Sequence, residues 1–374
     1  MKKIVFIDQY GFLGGGQQVL VELALAAQTL LCEVVALIPK GSCAEKLASM
    51  GVQVVHIPEC RLNNGEKSLC DVGRFITCGL HIFFQQRKLL QHTDMIYING
   101  SRLMPLALFS MLFWKKKIIF HIHLNHSKLE KNIFSYVIQF KNTAAIIVPS
   151  VFIRDQLCKF SPVFANSKLR LVENGLDSRF SQVPFQNRFS GKPISHIGIV
   201  GRISPEKGQD ILPSLAQVFP QLTFHVLGDA AFSGKAYEQN LHAASPENVI
   251  FHGWVDDIPA KINEIGLQIC LVPSRCLEAA PLVPLQMLAM GCLVAVRSLG
   301  GLADLAEELN LPSFCSDQDI PGCLRTMLEM PPSQLAQQSR KGYDAVMGRY
   351  GHAAFQERLC NLLADLCDTG AAKK

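Results

Sequence analysis

The chain has 374 residues, of which 49% are apolar and 18% are charged, and its net charge is only +5. This composition excludes intrinsic disorder, collagen-like repeats and a coiled coil as the main organisation, and the length predicts two domains with separate cores. Thirteen cysteines occur without CxxC pairs, so we expect reduced core residues and no zinc cluster.

Short apolar runs alternate with helical patterns through the first half of the chain. The runs are KKIVFID, CEVVALIP, VQVVHIP, DMIYING, KKIIFHIH, AAIIVPS and LRLVENG. Continuous Val- and Ile-rich runs separated by helices are typical of a parallel sheet that is covered on both faces. We therefore predict a Rossmann-like domain over residues 1–185.

A second series of the same kind follows a polar segment near Gln182 to Pro193. Its predicted strands are ISHIGIVGR, LTFHVLGD, NVIFHGWV, LQICLVPS and CLVAVR. They predict a second Rossmann-like domain over residues 192–350, with a C-terminal helix in 351–374 that could pack back on the first domain. The expected fold class is α/β, with two doubly wound domains facing across a cleft. Ligands of such sheets bind at the carboxyl ends of the strands.

The distribution of charge and hydropathy bears on location. The start, MKKIVFIDQY, lacks a hydrophobic segment of signal-peptide length, and no stretch reaches the 18 uncharged apolar residues of a spanning helix. We therefore expect a cytoplasmic protein. Residues 1–190 hold 22 Lys and Arg against 12 Asp and Glu. This excess suggests a surface that faces lipid headgroups or nucleic acid, with an uneven solvated surface as an equal alternative.

A glycine loop, Gly14 to Gly16, opens the helix after the first predicted strand. Glycines allow close backbone approach, and the first-turn amides of a helix carry partial positive charge that suits a phosphate. A structural turn is the alternative. The spacing is not GxGxxG, and no acidic residue closes the second strand, which argues against a nucleotide-dependent oxidoreductase.

Two cations occur in one loop after the first strand of the second predicted domain. Arg202 follows Gly201 directly, and Lys207 comes five residues later, before another glycine. A guanidinium binds phosphate oxygens in pairs and an ammonium adds a mobile point charge, so the loop suits a diphosphate. A solvated surface loop is the alternative interpretation.

An acidic residue, Glu278, precedes a short helix that we expect to begin near Pro284 and to end at Gly291. The amides of residues 280–283 would then point from a helix N-terminus toward the ligand. A carboxylate held beside them can bind sugar hydroxyls.

Taken together, these motifs resemble the retaining glycosyltransferases of family 4, which have the glycosyltransferase B fold. The resemblance covers nearly the whole chain and rests on the glycine loop, the cation pair, Asn174–Gly175 with Asp177, the Glu278 to Gln286 spacing and the GGLAD turn. The chain departs from the family pattern at three places: Gln286 and Gln18 stand where the family usually has acids, and Asp304 stands where it usually has Glu.

The resemblance implies a nucleoside-diphosphate sugar donor that is bound mainly on the second domain. Arg202 and Lys207 would neutralise the departing diphosphate, Glu278 would hold hydroxyls of the transferred sugar, and Gln286 would bind the ribose. The other residues implied for the donor site are Gly15, Gly16, Gly201, Trp254, Val255, Ala280, Pro281, Leu282 and Val283.

The strand KKIIFHIH supplies a candidate catalytic histidine. His123 resembles the family's cleft histidine near the transferred bond, and His121 is the second choice. We expect no metal and no cofactor, because paired cations and helix dipoles can neutralise the diphosphate; a metal site that uses Asp317 and Asp319 is the rival. No carboxylate nucleophile stands out, and Asp8 is interpreted as a loop or cap residue. The resemblance therefore implies retention by front-face attack.

The acceptor is less clearly indicated by the sequence. Residues 75–87 and 103–117 combine large apolar side chains with Arg and Lys, so they could lie on an anionic membrane or form ordinary core helices. The expected function is a metal-independent retaining hexosyltransferase that acts on a glycan or lipid-linked acceptor, with no nucleic acid partner. It would be cytoplasmic or peripheral on the cytoplasmic membrane face. The alternative, which Gln286 favours, is a catalytically silent nucleotide-sugar-binding or scaffold protein.

Overall fold

The computed structural model describes residues 1–59, 69–100, 103–124, 126–191, 193–230 and 235–368. The chain divides into two compact units, Met1–Asn174 with Phe355–Lys374, and Gly175–Ala354. Each unit contains one sheet, and every strand pairing in both sheets is parallel within the described residues.

The first unit has a seven-stranded sheet with the order β3-β2-β1-β4-β5-β6-β7. Its strands are β1 (Lys3–Ile7), β2 (Glu33–Ile38), β3 (Gln53–His56), β4 (Met95–Asn99), β5 (Lys117–His121), β6 (Thr143–Val148) and β7 (Leu169–Leu171). Its helices are α1 (Gly15–Thr29), α2 (Ser42–Ser49), α3 (Leu69–Gln85), α4 (Arg87–Gln91), α5 (Met104–Trp114), α6 (Lys128–Val137) and α7 (Val151–Phe160). The strand order reverses between β1 and β4, which is where open α/β sheets bind their ligands.

The second unit repeats this plan with six strands in the order β10-β9-β8-β11-β12-β13. They are β8 (His196–Val200), β9 (Thr223–Leu227), β10 (Val249–Phe251), β11 (Ile269–Val272), β12 (Leu293–Arg297) and β13 (Ser313–Phe314). The remaining helices are α8 (Ser178–Ser181), α9 (Leu212–Val218), α10 (Lys235–Ala244), α11 (Ile258–Ile265), α12 (Leu282–Ala289), α13 (Gly301–Leu309), α14 (Ile320–Leu328), α15 (Pro332–Tyr350) and α16 (His352–Asp368).

Alternate residues of β11 enter two different core clusters. Ile269 and Leu271 belong to one cluster, and Cys270 and Val272 to the other. Because successive side chains of a strand point to opposite faces, the second sheet is buried on both sides. This confirms the predicted α/β class with two doubly wound, Rossmann-like domains. All twelve predicted strands are present, and the two-residue β13 was not predicted.

The division between the units differs from the predicted boundaries at 185–192 and 350–351. The chain enters the second unit after Asn174, because Leu176 and Phe180 are already buried in that unit's core. Position 192, where the second domain was predicted to begin, lies outside the described residues. At the other end, Phe355 and Leu359 of α16 are buried in the core of the first unit.

Hydropathy along the helices is also informative. Among the helices of the described residues, none combines the length and the apolar character that crossing a bilayer requires.

Candidate functional site

Two glycines bring the carboxyl ends of β8 and β9 together. Gly201 has φ +134° and Gly228 has φ +144°, which are conformations that residues with a side chain rarely adopt. A Cβ atom on Gly228 would lie 2.1 Å from the carbonyl oxygen of Gly201. The two strand ends therefore meet through backbone atoms alone, and Arg202 follows Gly201 at this carboxyl edge of the sheet.

A short turn, Pro205–Lys207, places Lys207 against the neighbouring strand end. Gly208 ends the turn with φ +76°, and a Cβ atom there would lie 2.7 Å from the carbonyl oxygen of Pro273, just after β11. Only glycine fits this close approach. The loop that carries the two cations is therefore fixed against the residues that follow β11.

Lys207 and Glu278 form an ion pair, as Lys207 Nζ contacts Glu278 Oε1. Ser274 Oγ donates a hydrogen bond to the same carboxylate oxygen at 2.8 Å. The structure thus brings together two predicted site residues, and the sequence analysis missed Ser274. Its position four residues before Glu278, directly after a buried strand, is the signal that could have revealed it.

The Arg202 side chain pairs with a different carboxylate. Its guanidinium donates to Glu206 at 2.6 Å, and both side chains of this pair are more than 40% exposed. The two predicted phosphate ligands therefore each have a carboxylate partner in this structure. The sequence analysis did not foresee the involvement of Glu206.

The GGLAD turn supports the Glu278 loop through its backbone. Gly301 N donates to Glu278 O at 2.9 Å, and a Cβ atom on Gly301 would lie 2.7 Å from that oxygen. Gly300 has φ +58° at the start of α13. The glycine pair therefore allows the helix to begin in direct contact with the loop, and Asp304 lies in the first turn of this helix.

Helix α12 begins at Leu282, two residues before the position expected from Pro284. Pro284 is the third residue of the helix, where the missing amide proton has no intrahelical partner to lose. Pro281 is the N-cap, and no side chain caps this end of the helix. The first-turn amides of Leu282 and Val283 therefore remain open to an anion, with Gln286 half-buried one turn later.

Trp254 and Val255 follow β10 at the carboxyl end of the same sheet. Trp254 is 59% exposed, and its Nε1 donates to Asp256 Oδ1 at 2.9 Å. Val255 packs against the core of the unit. The indole is thus held by one hydrogen bond with much of its surface open.

Three histidines form a hydrogen-bonded row across β8, β9 and the end of β10. His196 Nδ1 lies 3.0 Å from His225 Nε2, and His225 Nδ1 lies 3.0 Å from His252 Nε2. Burial, followed by the two neighbouring imidazoles, lowers the pKa of His225 to about 4. His225 is therefore neutral at pH 7, and the sequence analysis did not find this row of histidines.

The DxD segment is occupied by structural contacts. Asp317 pairs with Arg275 at 2.7 Å and with Arg297, while Asp319 accepts from Ser316 N at 2.7 Å. In the described part of the chain, no group of three or more His, Cys, Asp and Glu side chains is arranged to hold a metal ion.

In the first unit, the glycine loop meets the predicted catalytic histidine. Helix α1 begins at Gly15 with Gly14 as its N-cap, and no side chain caps it. A Cβ atom on Gly16 would lie 3.3 Å from the ring of His123. Gly16 therefore leaves room for this imidazole against the helix N-terminus.

A buried polar network holds His123. Its Nε2 lies 2.6 Å from Asn99 Oδ1, the Asn99 amide nitrogen donates to Asp8 Oδ2, and Gln17 Nε2 donates to the same oxygen at 2.9 Å. Asp8 is only 1% exposed. The interpretation of Asp8 as a loop or cap residue is therefore incomplete: it accepts the backbone amide of Tyr10, but it also anchors the network.

The sheet order explains this network. Strands β1 and β4 are neighbours with Ile7 opposite Ile98, so Asp8 and Asn99 follow side by side at the strand ends. Asn99 is in turn opposite His121 on β5. The polar side chains therefore lie together where the strand order of the sheet reverses, between β1 and β4.

The hydrogen bonds and burial define the state of His123. Because the acceptor is an amide oxygen, Nε2 carries the proton, and the buried Nδ1 has no hydrogen-bond partner among the described residues. Burial, and then the charge of nearby His126, lower the pKa of His123 to about 4. His123 is therefore neutral at pH 7, with an unprotonated and buried Nδ1.

His121, the second choice, is fully buried beneath His123, and the two ring centroids are 4.1 Å apart. Its Nδ1 lies 2.5 Å from the hydroxyl of Tyr97. Burial raises the pKa of Tyr97 well above its usual value, so the hydroxyl keeps its proton beside the imidazole. His121 therefore supports the site from below.

Two family models match this chain. The model described as Glycosyltransferase Family 4 matches residues 13–180, and the model described as Glycosyl transferases group 1 matches residues 195–323. Together they take in more than half of the chain; the first includes the glycine loop and His123, and the second includes the cation loop and Glu278. The chain belongs to the glycosyltransferase family that these two models describe. It is a glycosyltransferase of the GT-B type, as the resemblance implied.

Individual proteins and solved structures are also similar to this chain. The glycosyltransferase is 25% identical over 259 residues to a 41.2 kDa protein in the cps region of Klebsiella pneumoniae, with 63% of this chain and 69% of that protein covered. It is 28% identical over 234 residues to the sulfoquinovosyl transferase SQD2 of Arabidopsis thaliana, a match that covers 58% of this chain and 44% of SQD2. The fold is shared with Anabaena HepE, crystallised with UDP-glucose, at a TM-score of 0.78 and 19% identity, covering 98% of this chain and 100% of HepE.

Proposed function

We propose that this glycosyltransferase moves a hexose from a nucleoside-diphosphate donor to a glycan or lipid-linked acceptor with retention of configuration. The observation that supports the donor best is the Lys207–Glu278 pair, which lies at the carboxyl edge of the second sheet beside the open N-terminus of α12. This edge combines a cation, an oriented carboxylate and helix amides, which suit a phosphate joined to a sugar.

The diphosphate would be held by Arg202, Lys207 and the first-turn amides of α12. An exposed ion pair such as Arg202–Glu206 contributes only about 0–1 kcal/mol, so a diphosphate can replace Glu206 as the partner of Arg202. The Lys207 ammonium has three N–H donors and can therefore bind a phosphate oxygen while it stays on Glu278. The UDP-glucose in the HepE crystal structure supports a donor of this class.

The sugar and the base would lie on either side of the phosphates. Glu278, oriented by Lys207 and Ser274, would accept hydrogen bonds from sugar hydroxyls. The open indole of Trp254 would stack on the base, and Gln286 would contact the ribose.

The reaction would proceed on one face of the sugar. The bond between C1 and the diphosphate oxygen breaks, the acceptor oxygen forms the new bond to C1 on the same side, and the departing phosphate oxygen takes the acceptor's proton. Arg202, Lys207 and the helix amides would stabilise the negative charge that grows on the diphosphate. Neutral His123 would contact the transferred sugar near the bond that is broken. Since cations and helix dipoles do this work, we expect no metal requirement and no other cofactor.

A catalytically silent nucleotide-sugar-binding protein is the second candidate, because Gln286 replaces a usual acid. One experiment separates the two. The full chain is mixed with a panel of nucleotide sugars, and thermal stabilisation and slow donor hydrolysis are both measured without an acceptor. An enzyme is stabilised by one donor and hydrolyses it; a silent binder is stabilised and shows no hydrolysis at any donor.

A further inference from the structure

Three large apolar side chains are exposed on α3 and α5, two helices of the first unit that pack against each other. Phe84 near the end of α3 and Leu112 and Phe113 near the end of α5 are 63%, 70% and 69% exposed. We call these three residues the apolar patch. Exposed phenylalanines and leucines that cluster in this way mark interaction surfaces.

The apolar patch is supported from below by a rigid stack of rings. The buried Phe83 ring stacks on Trp114 with centroids 4.0 Å apart and an angle of 9° between the planes. The same ring lies 5.3 Å from Phe84 and 5.8 Å from Phe113. The sequence suggested Trp114 as part of a membrane-facing segment. In the structure Trp114 stacks on Phe83, and the neighbouring residues Leu112 and Phe113 are the exposed ones. The side chain of Phe75, at the start of the other such segment, lies outside the described residues.

Basic residues flank the apolar patch. Arg87 and Lys88 are exposed just after Phe84, and Lys115 is exposed just after α5 ends. Residues 72–129 contain eight Lys and Arg and a single acidic residue, Asp94, which already accepts the backbone amide of Lys3. This part of the chain thus combines exposed apolar side chains with an excess of basic over acidic residues.

The apolar patch lies away from the candidate site in the same unit. Helix α5 starts after the carboxyl end of β4 and leads into the amino end of β5, so its last turn lies at the amino edge of the sheet. The polar network of Asp8, Asn99 and His123 lies at the carboxyl edge. Changes in the apolar patch should therefore leave the donor chemistry intact.

We propose that the apolar patch, together with Arg87, Lys88 and Lys115, docks this protein onto an anionic lipid bilayer. A bilayer offers negative headgroups to the cations and acyl chains to the apolar side chains, which is the chemistry of this surface. A symmetric contact between two copies would instead place the same positive charges against each other. The docking proposal does not depend on the proposed function. The further idea that docking delivers the enzyme to a lipid-borne acceptor does rest on the proposed function.

The first test is sedimentation of the full chain with two kinds of vesicle, phosphatidylcholine alone and phosphatidylcholine with 30% phosphatidylglycerol. We expect binding to the anionic vesicles only, and weaker binding when salt is raised from 20 to 300 mM, because exposed charges are screened. Equal binding to both vesicles, or binding to neither at low salt, would overturn the proposal.

Variants then test the named residues. Lys88→Gln should weaken binding to anionic vesicles about five-fold, whereas the matched change Lys341→Gln, at an exposed lysine of the second unit, should not. Phe113→Gln should also weaken binding several-fold, with Val218→Gln, at an exposed apolar residue of α9, as its control. Unchanged binding of Lys88→Gln and Phe113→Gln contradicts the proposal.

Two further measurements separate this idea from others. Sedimentation velocity without vesicles should show the same oligomeric state for wild type and Phe113→Gln; a dimer that dissociates in the variant would point to self-association and overturn lipid docking. Donor hydrolysis should be equal in wild type and the patch variants. Absence of hydrolysis in all of them with vesicle binding intact would remove the proposed function and leave the docking surface standing.

Discussion

Lys207 and Arg202 come from one loop but face different carboxylates. Arg202 holds an exposed acid, whereas Lys207 holds the partly buried Glu278 together with Ser274. We therefore expect Lys207 to contribute more than Arg202 to the stability of the fold, and both residues to bind the diphosphate in the same way.

Arg202→Ala and Lys207→Ala should each lower turnover of the donor by about 10- to 100-fold, because a charge-assisted hydrogen bond to the departing diphosphate contributes roughly 1.5–3 kcal/mol. Lys207→Ala should also lower the melting temperature more than Arg202→Ala, since it leaves Glu278 without its cation. Arg340→Ala is the matched control, as Arg340 forms the same kind of exposed i, i+4 ion pair with Asp344. Steady-state donor hydrolysis and thermal unfolding measure both effects. Wild-type turnover in both loop variants would contradict the assignment.

Gln286 and Glu278 should respond to substitution in opposite ways. A glutamine amide offers one acceptor oxygen, and a neutral hydrogen bond is weaker than a charged one by on the order of 1 kcal/mol. Gln286→Glu should therefore tighten nucleoside-diphosphate binding several-fold and change turnover little. Glu278→Gln should reduce turnover far more than nucleotide affinity. Calorimetry beside donor hydrolysis distinguishes the cases; no gain in affinity at Gln286→Glu would show that this residue does not contact the nucleotide.

Helix α1 provides a test at the scale of an element. Gly16 lies in its first turn, so alanine should favour the helix by up to about 1 kcal/mol, but the new Cβ would press on the ring of His123. Gly16→Ala should therefore keep the melting temperature and lower donor turnover. In the control, Gly322→Ala in the first turn of α14, a Cβ would meet nothing within 4 Å, so turnover should be unchanged. Equal turnover of the two variants would remove His123 from the reaction.

The strands and the glycine turns that follow them could be predicted from the sequence, because a buried parallel sheet leaves continuous Val and Ile runs with turns at their ends. The polar network could not. Asp8 and Asn99 are 91 residues apart, and they meet only because the sheet places β1 beside β4. The short β13 was missed for a local reason: its two residues have no hydrophobic period that could set its bounds.

At the scale of the whole molecule, buried neutral histidines should make the fold sensitive to acid. His123 and His225 have pKa values of about 4 in the folded protein, against about 6.5 in an unfolded chain. The unfolded state therefore binds more protons between pH 6.5 and 4, so the free energy of unfolding falls as the pH is lowered through this window. Each histidine adds up to about 1.4 kcal/mol per pH unit to the slope.

His225→Gln checks this account, because it removes the titration of one of these buried histidines. Urea unfolding of wild type and variant at pH values from 7 to 4.5 should give a shallower slope for the variant. Parallel slopes would mean that His225 does not contribute to the acid sensitivity.

The most direct test of the central claim is an NMR time course of the full chain with a mixture of nucleoside-diphosphate hexoses, in the presence of EDTA. The account predicts that one donor is consumed and that the hexose first released, before mutarotation, keeps the anomeric configuration that it had in the donor. Release of the opposite anomer would contradict retention, consumption only without EDTA would contradict metal independence, and no consumption of any donor would contradict the proposed transferase.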